Sequence, residues 1–303
     1  MRLTAEGVFT RYEALRPRLP AWPDDQTAAP PSARTPTAVA SLLDISEAAE
    51  AFVFDAFGVL NVGTQPIDGA AERLQQLRAK GYQIRVLSNA ASNGKAQTLA
   101  KFDALGLALS AEEIITSRDA TLTAVDDRLW GVIAAPDDAL DDITAPTRRL
   151  GQTSADYAAV EGFVFLSSAA WDMDQQALLA RHLRDNPRPV LIANADLVAP
   201  RQTGLSLEPG FFGHHLIDQG HEDVRFFGKP YSDVYDLLAA SLPDMHPDRI
   251  VMCGDTLHTD ILGAAAVGWQ TALITQDGVY AGEDANHYVQ RARITPTYIL
   301  PRI

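Results

Sequence analysis

The chain has 303 residues, with 25 Lys and Arg against 39 Asp and Glu, for a formal net charge of −14. Its 47% hydrophobic and 21% charged residues describe a folded globular chain with material for one large or two ordinary domains. The acidic balance argues against nucleic acid as a partner, because a phosphate backbone needs many Lys and Arg, yet a small phosphorylated metabolite needs only one or two local cations.

Along the chain, residues 4–16 read as a short helix with Val8, Tyr12 and Leu15 on one side. Residues 17–37 hold Pro17, Pro20, Pro23, Pro30, Pro31 and Pro36. Proline lacks an N–H and restricts the residue before it, so this stretch is expected to be a linker or extended arm. Strands and helices then alternate. The first strand is Ala51-Phe52-Val53-Phe54-Asp55, followed by a helix over 69–80 with Asp68 as its cap and Gly81 as its stop. A strand from Tyr82 to Leu87, a helix over 94–105 and a strand from Glu113 to Thr116 come next. Far downstream, Arg249–Cys253 reads as a strand, Asp260–Val267 as a helix and Thr271–Thr275 as a strand.

That alternation predicts a doubly wound parallel sheet with helices on both faces. Between its halves lies a second α/β unit. Its expected strands are Gly131–Ala134, Gly162–Leu166 and Val190–Ala193, with a helix over Ala177–Leu183. The expected organisation is a core of 1–117 and 221–303, with 1–40 as helix and arm, and an inserted cap of 118–220. No apolar run approaches the roughly 18 residues that span a bilayer, and the first residues lack a signal-peptide core, so a cytoplasmic protein without membrane association is expected. A single cysteine, Cys253, excludes a disulfide framework. It lies in an apolar run and reads as a buried, inert thiol.

Ligands of open parallel sheets bind at the carboxyl ends of strands. The residues expected there are Asp55, Ser88-Asn89 and Gly254-Asp255, with Lys229 in a loop before a helix. Two carboxylates, a hydroxyl and an ammonium suit phosphoryl transfer: a carboxylate attacks phosphorus, hydroxyl and lysine hold the phosphoryl oxygens, and carboxylates hold a divalent cation.

These segments resemble the four motifs of the haloacid dehalogenase (HAD) superfamily. In order they are Asp55-Ala56-Phe57-Gly58-Val59-Leu60, Leu87-Ser88-Asn89, Gly228-Lys229-Pro230 and Gly254-Asp255-Thr256-Leu257-His258-Thr259-Asp260. Only about 33 residues separate Asp55 from Ser88, too few for a lid domain, while about 141 separate Ser88 from Lys229. That spacing resembles subfamily IIA, the N-acetylglucosamine-phosphate phosphatase type, as do Ile114-Ile115-Thr116-Ser117 and Asn194-Ala195-Asp196. The resemblance implies Asp55 as nucleophile and Mg²⁺ ligand, with the Phe57 carbonyl and Asp255 completing the metal set. It further implies phosphate binding by Ser88 and Lys229 with Asn89 in support, and Asp260 orienting Lys229 or a metal-bound water. Asn194 and Asp196 are expected to face the crevice from the cap. The oligomeric state is left open by the sequence; a homodimer is one option, by analogy with the dimer contacts that caps and extra arms often supply.

The chain departs from the pattern at Phe57, where phosphatases of the superfamily usually carry a second Asp that protonates the leaving alkoxide. Losing a general acid typically costs about 10²–10⁴ in rate. Three readings follow: a phosphatase for substrates with good leaving groups; a phosphatase in which His258 or Asp196 replaces the acid; or no phosphatase, but a dehalogenase-like hydrolase or a phosphometabolite-binding protein. His258 is also a candidate for substrate contact. His214, His215, His221 and Asp223 could suggest a second metal site, but adjacent side chains on a helix diverge and chelate poorly.

Overall fold

A parallel strand covered on both faces carries apolar residues without alternation, and Ala51–Phe54, with all four side chains buried, is such a strand. The computed structural model describes residues 4–23, 35–201 and 204–303. In chain order the first half holds α1 (Ala5–Leu15), β1 (Thr37–Ala38), β2 (Ala51–Phe54), a small hairpin β3 (Asn61–Val62) and β4 (Gln65–Pro66), α2 (Ala70–Ala79), β5 (Gln83–Ser88), α3 (Lys95–Ala104), β6 (Ile114–Thr116) and α4 (Ser117–Leu122). The inserted unit holds β7 (Trp130–Ile133), β8 (Thr147–Arg149), α5 (Ser154–Ala159), β9 (Gly162–Phe165), α6 (Met173–Asp185), β10 (Val190–Ile192), a hairpin β11 (Val198–Arg201) and β12 (Gly204–Leu207), α7 (Pro209–Asp218) and β13 (Val224–Phe226). The chain then returns through α8 (Ser232–Ala240), β14 (Ile250–Gly254), α9 (Leu262–Ala266), β15 (Gln270–Ile274), α10 (Ala285–Ala292) and β16 (Tyr298–Leu300).

Seven strands in the order β1-β16-β15-β14-β2-β5-β6 form one parallel sheet, and β13-β10-β9-β7-β8 form a second. The two-residue period of a strand sorts each side chain to a face. Phe52 and Phe54 pack with Leu74 and Leu77 of α2 on one side of the first sheet, while Ala51 and Val53 pack with Leu238 and Met252 on the other. That second cluster continues into the inserted sheet through Val132, Val164 and Leu191. The opposite face of the inserted sheet, with Phe163, Phe165 and Ile192, is covered by Leu179 of α6 and Leu216 of α7.

Several expectations need correction. The sheets do not divide at 118 and 220: α4 packs against α8 of the core, and β13 pairs in parallel with β10 of the inserted sheet. Val224-Arg225-Phe226 is too short and too mixed to announce itself as a strand. The helix after residue 68 begins behind Gly69, which takes a φ of +84°, and Asp68 does not cap it; Gly81 ends it as expected, with a φ of +89°. The helix expected from Asp260 starts earlier, as a π turn over Leu257–Ile261 that passes into α9. Asp260 is therefore inside the turn, and its carboxylate points back to accept from the Thr256 N–H at 3.0 Å. Of the Pro-rich arm, residues 24–34 lie outside the described residues; Thr37–Ala38 joins the edge of the main sheet against β16. Among the described residues no helix is long and apolar enough to cross a membrane.

Candidate active site

Because β14, β2 and β5 are neighbours in one parallel sheet, the residues at their carboxyl ends meet. Asp55 follows β2, its N–H donating to the Cys253 carbonyl at 2.9 Å; Ser88 ends β5; Asp255 follows β14. Gly58 lets the loop after Asp55 close against β14. It has a φ of +77°, and a Cβ there would lie 2.5 Å from Asp255 Oδ2, so no other residue fits without displacing that carboxylate.

Lys229 is almost completely buried, with 2% exposure. Its Nζ donates to Asp55 Oδ1 and to Asp260 Oδ1, each at 2.6 Å. The Asn89 amide holds the lysine's backbone from both sides: Oδ1 accepts from the Lys229 N–H at 2.7 Å and Nδ2 donates to its carbonyl at 3.1 Å. Asp260, itself buried, sits behind the lysine and fixes its direction.

The electrostatics follow from this crowding. Burial pushes Asp55 up to about 6, with Lys229 opposing and Asp260 reinforcing the shift. Burial, then the Asp55 and Asp260 charges, push Asp255 well above the usual carboxylate range. Burial works to lower the Lys229 ammonium, but the two carboxylates outweigh it and hold the group above its ordinary value.

Asp55, Asp255 and Asp260 each place a carboxylate oxygen within 4.8 Å of the others. Three buried carboxylates around a single ammonium leave negative charge uncompensated, and hard oxygen donors of this kind fit a divalent cation such as Mg²⁺. Among the described residues no other group of His, Cys, Asp and Glu converges in this way. His214, in particular, is buried and stacks on Phe226 at 4.4 Å between ring centroids.

The cap reaches the same place. Asp196 lies on the loop after β10; its N–H donates to Asn194 Oδ1 at 2.9 Å, and its Oδ1 accepts from Asn89 Nδ2 at 2.8 Å. One asparagine of the core thus links the cap loop to Lys229. Burial pushes the Asp196 carboxyl up to about 7, against the pull of Lys229 and the Asn89 hydrogen bond. Asp55, Phe57, Ser88, Asn89, Asn194, Asp196, Lys229 and Asp255 all line one cavity of about 410 Å³.

His258 does not join them. It is fully buried outside the cavity lining, stacked on Tyr12 at 5.2 Å and 7°, with Nε2 2.6 Å from Glu13 Oε1. Its partners lie some 245 residues away in α1, so nothing in its own neighbourhood could have announced them. The expectation of substrate contact, and of His258 as replacement acid, is therefore dropped. Sequence reasoning also missed Val8 and Tyr12 as cavity-lining residues. Their place on one side of a helix was visible; what that side covers was not. Phe57 contributes a ring to the cavity, with Lys101 Nζ 4.3 Å from its centroid.

Comparison with known proteins agrees with this geometry. Residues 52–139 match a family model described as haloacid dehalogenase-like hydrolase, and residues 226–303 match a second, HAD-hydrolase-like. A 4-nitrophenylphosphatase of Schizosaccharomyces pombe is 26% identical over 259 residues, covering 78% of this chain and 86% of that protein. The crystal structure of a possible sugar phosphatase of the HAD superfamily from Cytophaga hutchinsonii superposes with a TM-score of 0.79 at 25% identity, over 88% of this chain and 98% of that one. A glycerol phosphate phosphatase from Mycobacterium tuberculosis, in complex with magnesium, shares the fold with a TM-score of 0.67 at 23% identity, over 84% of this chain and 75% of that one. With three motifs at the strand ends of one parallel sheet, Lys229 of the remaining motif paired with two of their carboxylates, and both halves of that sheet matched, this chain belongs to the haloacid dehalogenase superfamily of hydrolases.

Proposed function

We propose that the protein is a Mg²⁺-dependent phosphatase of small phosphorylated metabolites, of the subfamily IIA type, in which Asp196 of the cap supplies the acid that Phe57 cannot. The observation that carries the reading is the Asn89 bridge. The same side chain fixes Lys229 beside Asp55 and holds Asp196, so nucleophile, cation and acid are indexed to one another.

In this reading an Asp55 oxygen attacks phosphorus while the bond from phosphorus to the leaving oxygen breaks. Lys229 and Ser88 hold the non-bridging oxygens, and Asp196 passes its proton to the departing alkoxide. The Asp196 carboxylate then takes a proton from the water that hydrolyses the aspartyl-phosphate, releasing inorganic phosphate and restoring Asp55. A carboxyl held near neutrality can perform both transfers, as general acid and then base. Mg²⁺, when held by Asp55, Asp255 and the Phe57 carbonyl, would neutralise charge on the phosphoryl group. The likeness to a yeast 4-nitrophenylphosphatase and, in fold, to a mycobacterial glycerol phosphate phosphatase supports the class of reaction.

Phosphate release from acyl, aryl and alkyl phosphates, with Mg²⁺ and with chelator, tests this directly. Metal-dependent release by the native chain, lost in Asp55→Asn and, for alkyl phosphates, in Asp196→Asn, is the expected result. Release insensitive to Asp55→Asn, or none from any phosphate, would sink the reading and favour a binding protein.

A further inference from the structure

Helix α1 lies outside both segments matched by the family models, yet it is anchored on both halves of the molecule. On the core side Phe9 packs against Tyr288 at 5.2 Å, Glu6 pairs with Arg291 at 2.6 Å, and Tyr12 and Glu13 engage His258. On the cap side the Leu197 N–H donates to the Tyr12 hydroxyl at 3.4 Å, and Arg18, just past the helix, pairs with Asp218 at 2.5 Å. Between these anchors Ala5, Val8 and Tyr12, spaced three and four apart on one helical face, line the active-site cavity together with Phe57, Val198 and Val279.

Several of the polar groups around that cavity are engaged within the protein. Asn194 Nδ2 donates to Glu208 Oε2 at 3.2 Å while its Oδ1 accepts from Asp196. Asp277 is paired with Arg302 at 2.6 Å, and the Ser92 hydroxyl donates to Ser167 Oγ at 3.0 Å. A polyol leaving group would compete for partners already taken, and each hydroxyl left without one in a buried site is costly. An apolar ring meets the side chains of α1 without that penalty.

We propose that α1 is the specificity wall of this active site, and that Val8 and Tyr12 select a phosphomonoester whose leaving group presents an apolar or aromatic face rather than a polyol or sugar. The choice of a phosphate ester rests on the reading above; the wall itself rests on the placement of α1.

The test is calorimetric titration of the full chain in Mg²⁺ with two phosphonates that resist hydrolysis, benzylphosphonate and 2,3-dihydroxypropylphosphonate. Burying one face of a phenyl ring is worth about tenfold in affinity, so the native chain should bind the benzyl ligand at least about tenfold tighter. Val8→Asn should erase that preference by weakening the benzyl ligand, and Val8→Thr, which keeps the shape, should reduce it about threefold; thermal melting checks that both fold, and Val8→Thr decides if Val8→Asn does not. Equal or tighter binding of the dihydroxypropyl ligand, a preference that survives in the folded variants, or binding of neither ligand would overturn the proposal. Benzyl preference without phosphate release from any ester would leave the wall standing and remove the phosphatase reading. Phosphate release without the preference would do the reverse.

Discussion

In one set of cavity-lining residues, Asp55, Ser88 and Asp255 stand at the carboxyl ends of adjacent strands, with Lys229 buried between two carboxylates. In the other set, Asp196 comes from a cap loop and Val8 and Tyr12 from the first helix of the chain. The first set is positioned by backbone hydrogen bonding of a parallel sheet and by ion pairs at 2.6 Å. The second is positioned by side-chain contacts between segments far apart in sequence, such as the Asn89–Asp196 bond across 107 residues. Chemistry common to a superfamily belongs on the rigid frame, whereas the choice of leaving group belongs on elements that can be exchanged without disturbing it.

The largest expected effect tests the first set. Asp55→Asn should lower kcat by about 10⁴-fold or more for every phosphate ester, since removal of a nucleophile is not compensated by its partners. Lys229→Met should cost about 10²–10³ in kcat, and a melting curve of the metal-free protein should show it destabilised by about 3–5 kcal/mol, because two buried carboxylates lose their shared cation.

For the second set the effect should depend on the substrate. Asp196→Asn should cost about 10²–10⁴ for alkyl phosphates but no more than about tenfold for 4-nitrophenyl phosphate, whose leaving group needs no proton. A uniform loss across leaving groups would show that Asp196 positions rather than protonates. Phe57→Asp in the Asp196→Asn background should recover at least about tenfold for alkyl phosphates, by returning a carboxyl to the place where the superfamily usually has one.

The same carboxyl predicts a pH limb. Asp196 is held up to about 7, and an acid must be protonated to act. The kcat for alkyl phosphates should therefore be high below pH 7 and fall about tenfold per unit above it. Measured on Asp196→Asn, the limb should be absent. The groups facing Asp196 are Asn89, Lys229, Asp55 and Asp260.

A separate effect, on stability, lies away from the cavity. Burial lowers His214 to about 4, below the ordinary 6.5 of the unfolded chain. The unfolded state therefore binds more protons between those values. Stability should be intact above about pH 6.5 and decline as pH falls towards 4, by on the order of 3 kcal/mol in all. His214→Phe should flatten that part of the melting-temperature profile.

How much of this could be read in advance follows the same division. Asp55, Ser88, Lys229 and Asp255 were legible because each sits beside a short apolar run or a turn signal in its own neighbourhood. Asp196 was legible as one of two candidate acids; its place in the cavity lining and its bond to Asn89 separate it from His258, which is buried outside that lining. The inserted strand Val224–Phe226 and the hairpin after Leu197 were not read, since short edge elements take their structure from their partners. Helix α1 was read as a helix, yet its place in the cavity lining was invisible. An apolar stripe predicts burial without saying what is buried beneath it.

The cap's Val132, Val164 and Leu191 share one apolar cluster with Val53 and Leu87 of the core, and this has a consequence for rates. Any cap motion that parts this seam brings apolar surface into water, which raises heat capacity. If such opening limits product release, the logarithm of kcat should curve against reciprocal temperature. Motion confined to the small hairpin of β3 and β4, whose Val62 is already 45% exposed, should leave that plot straight.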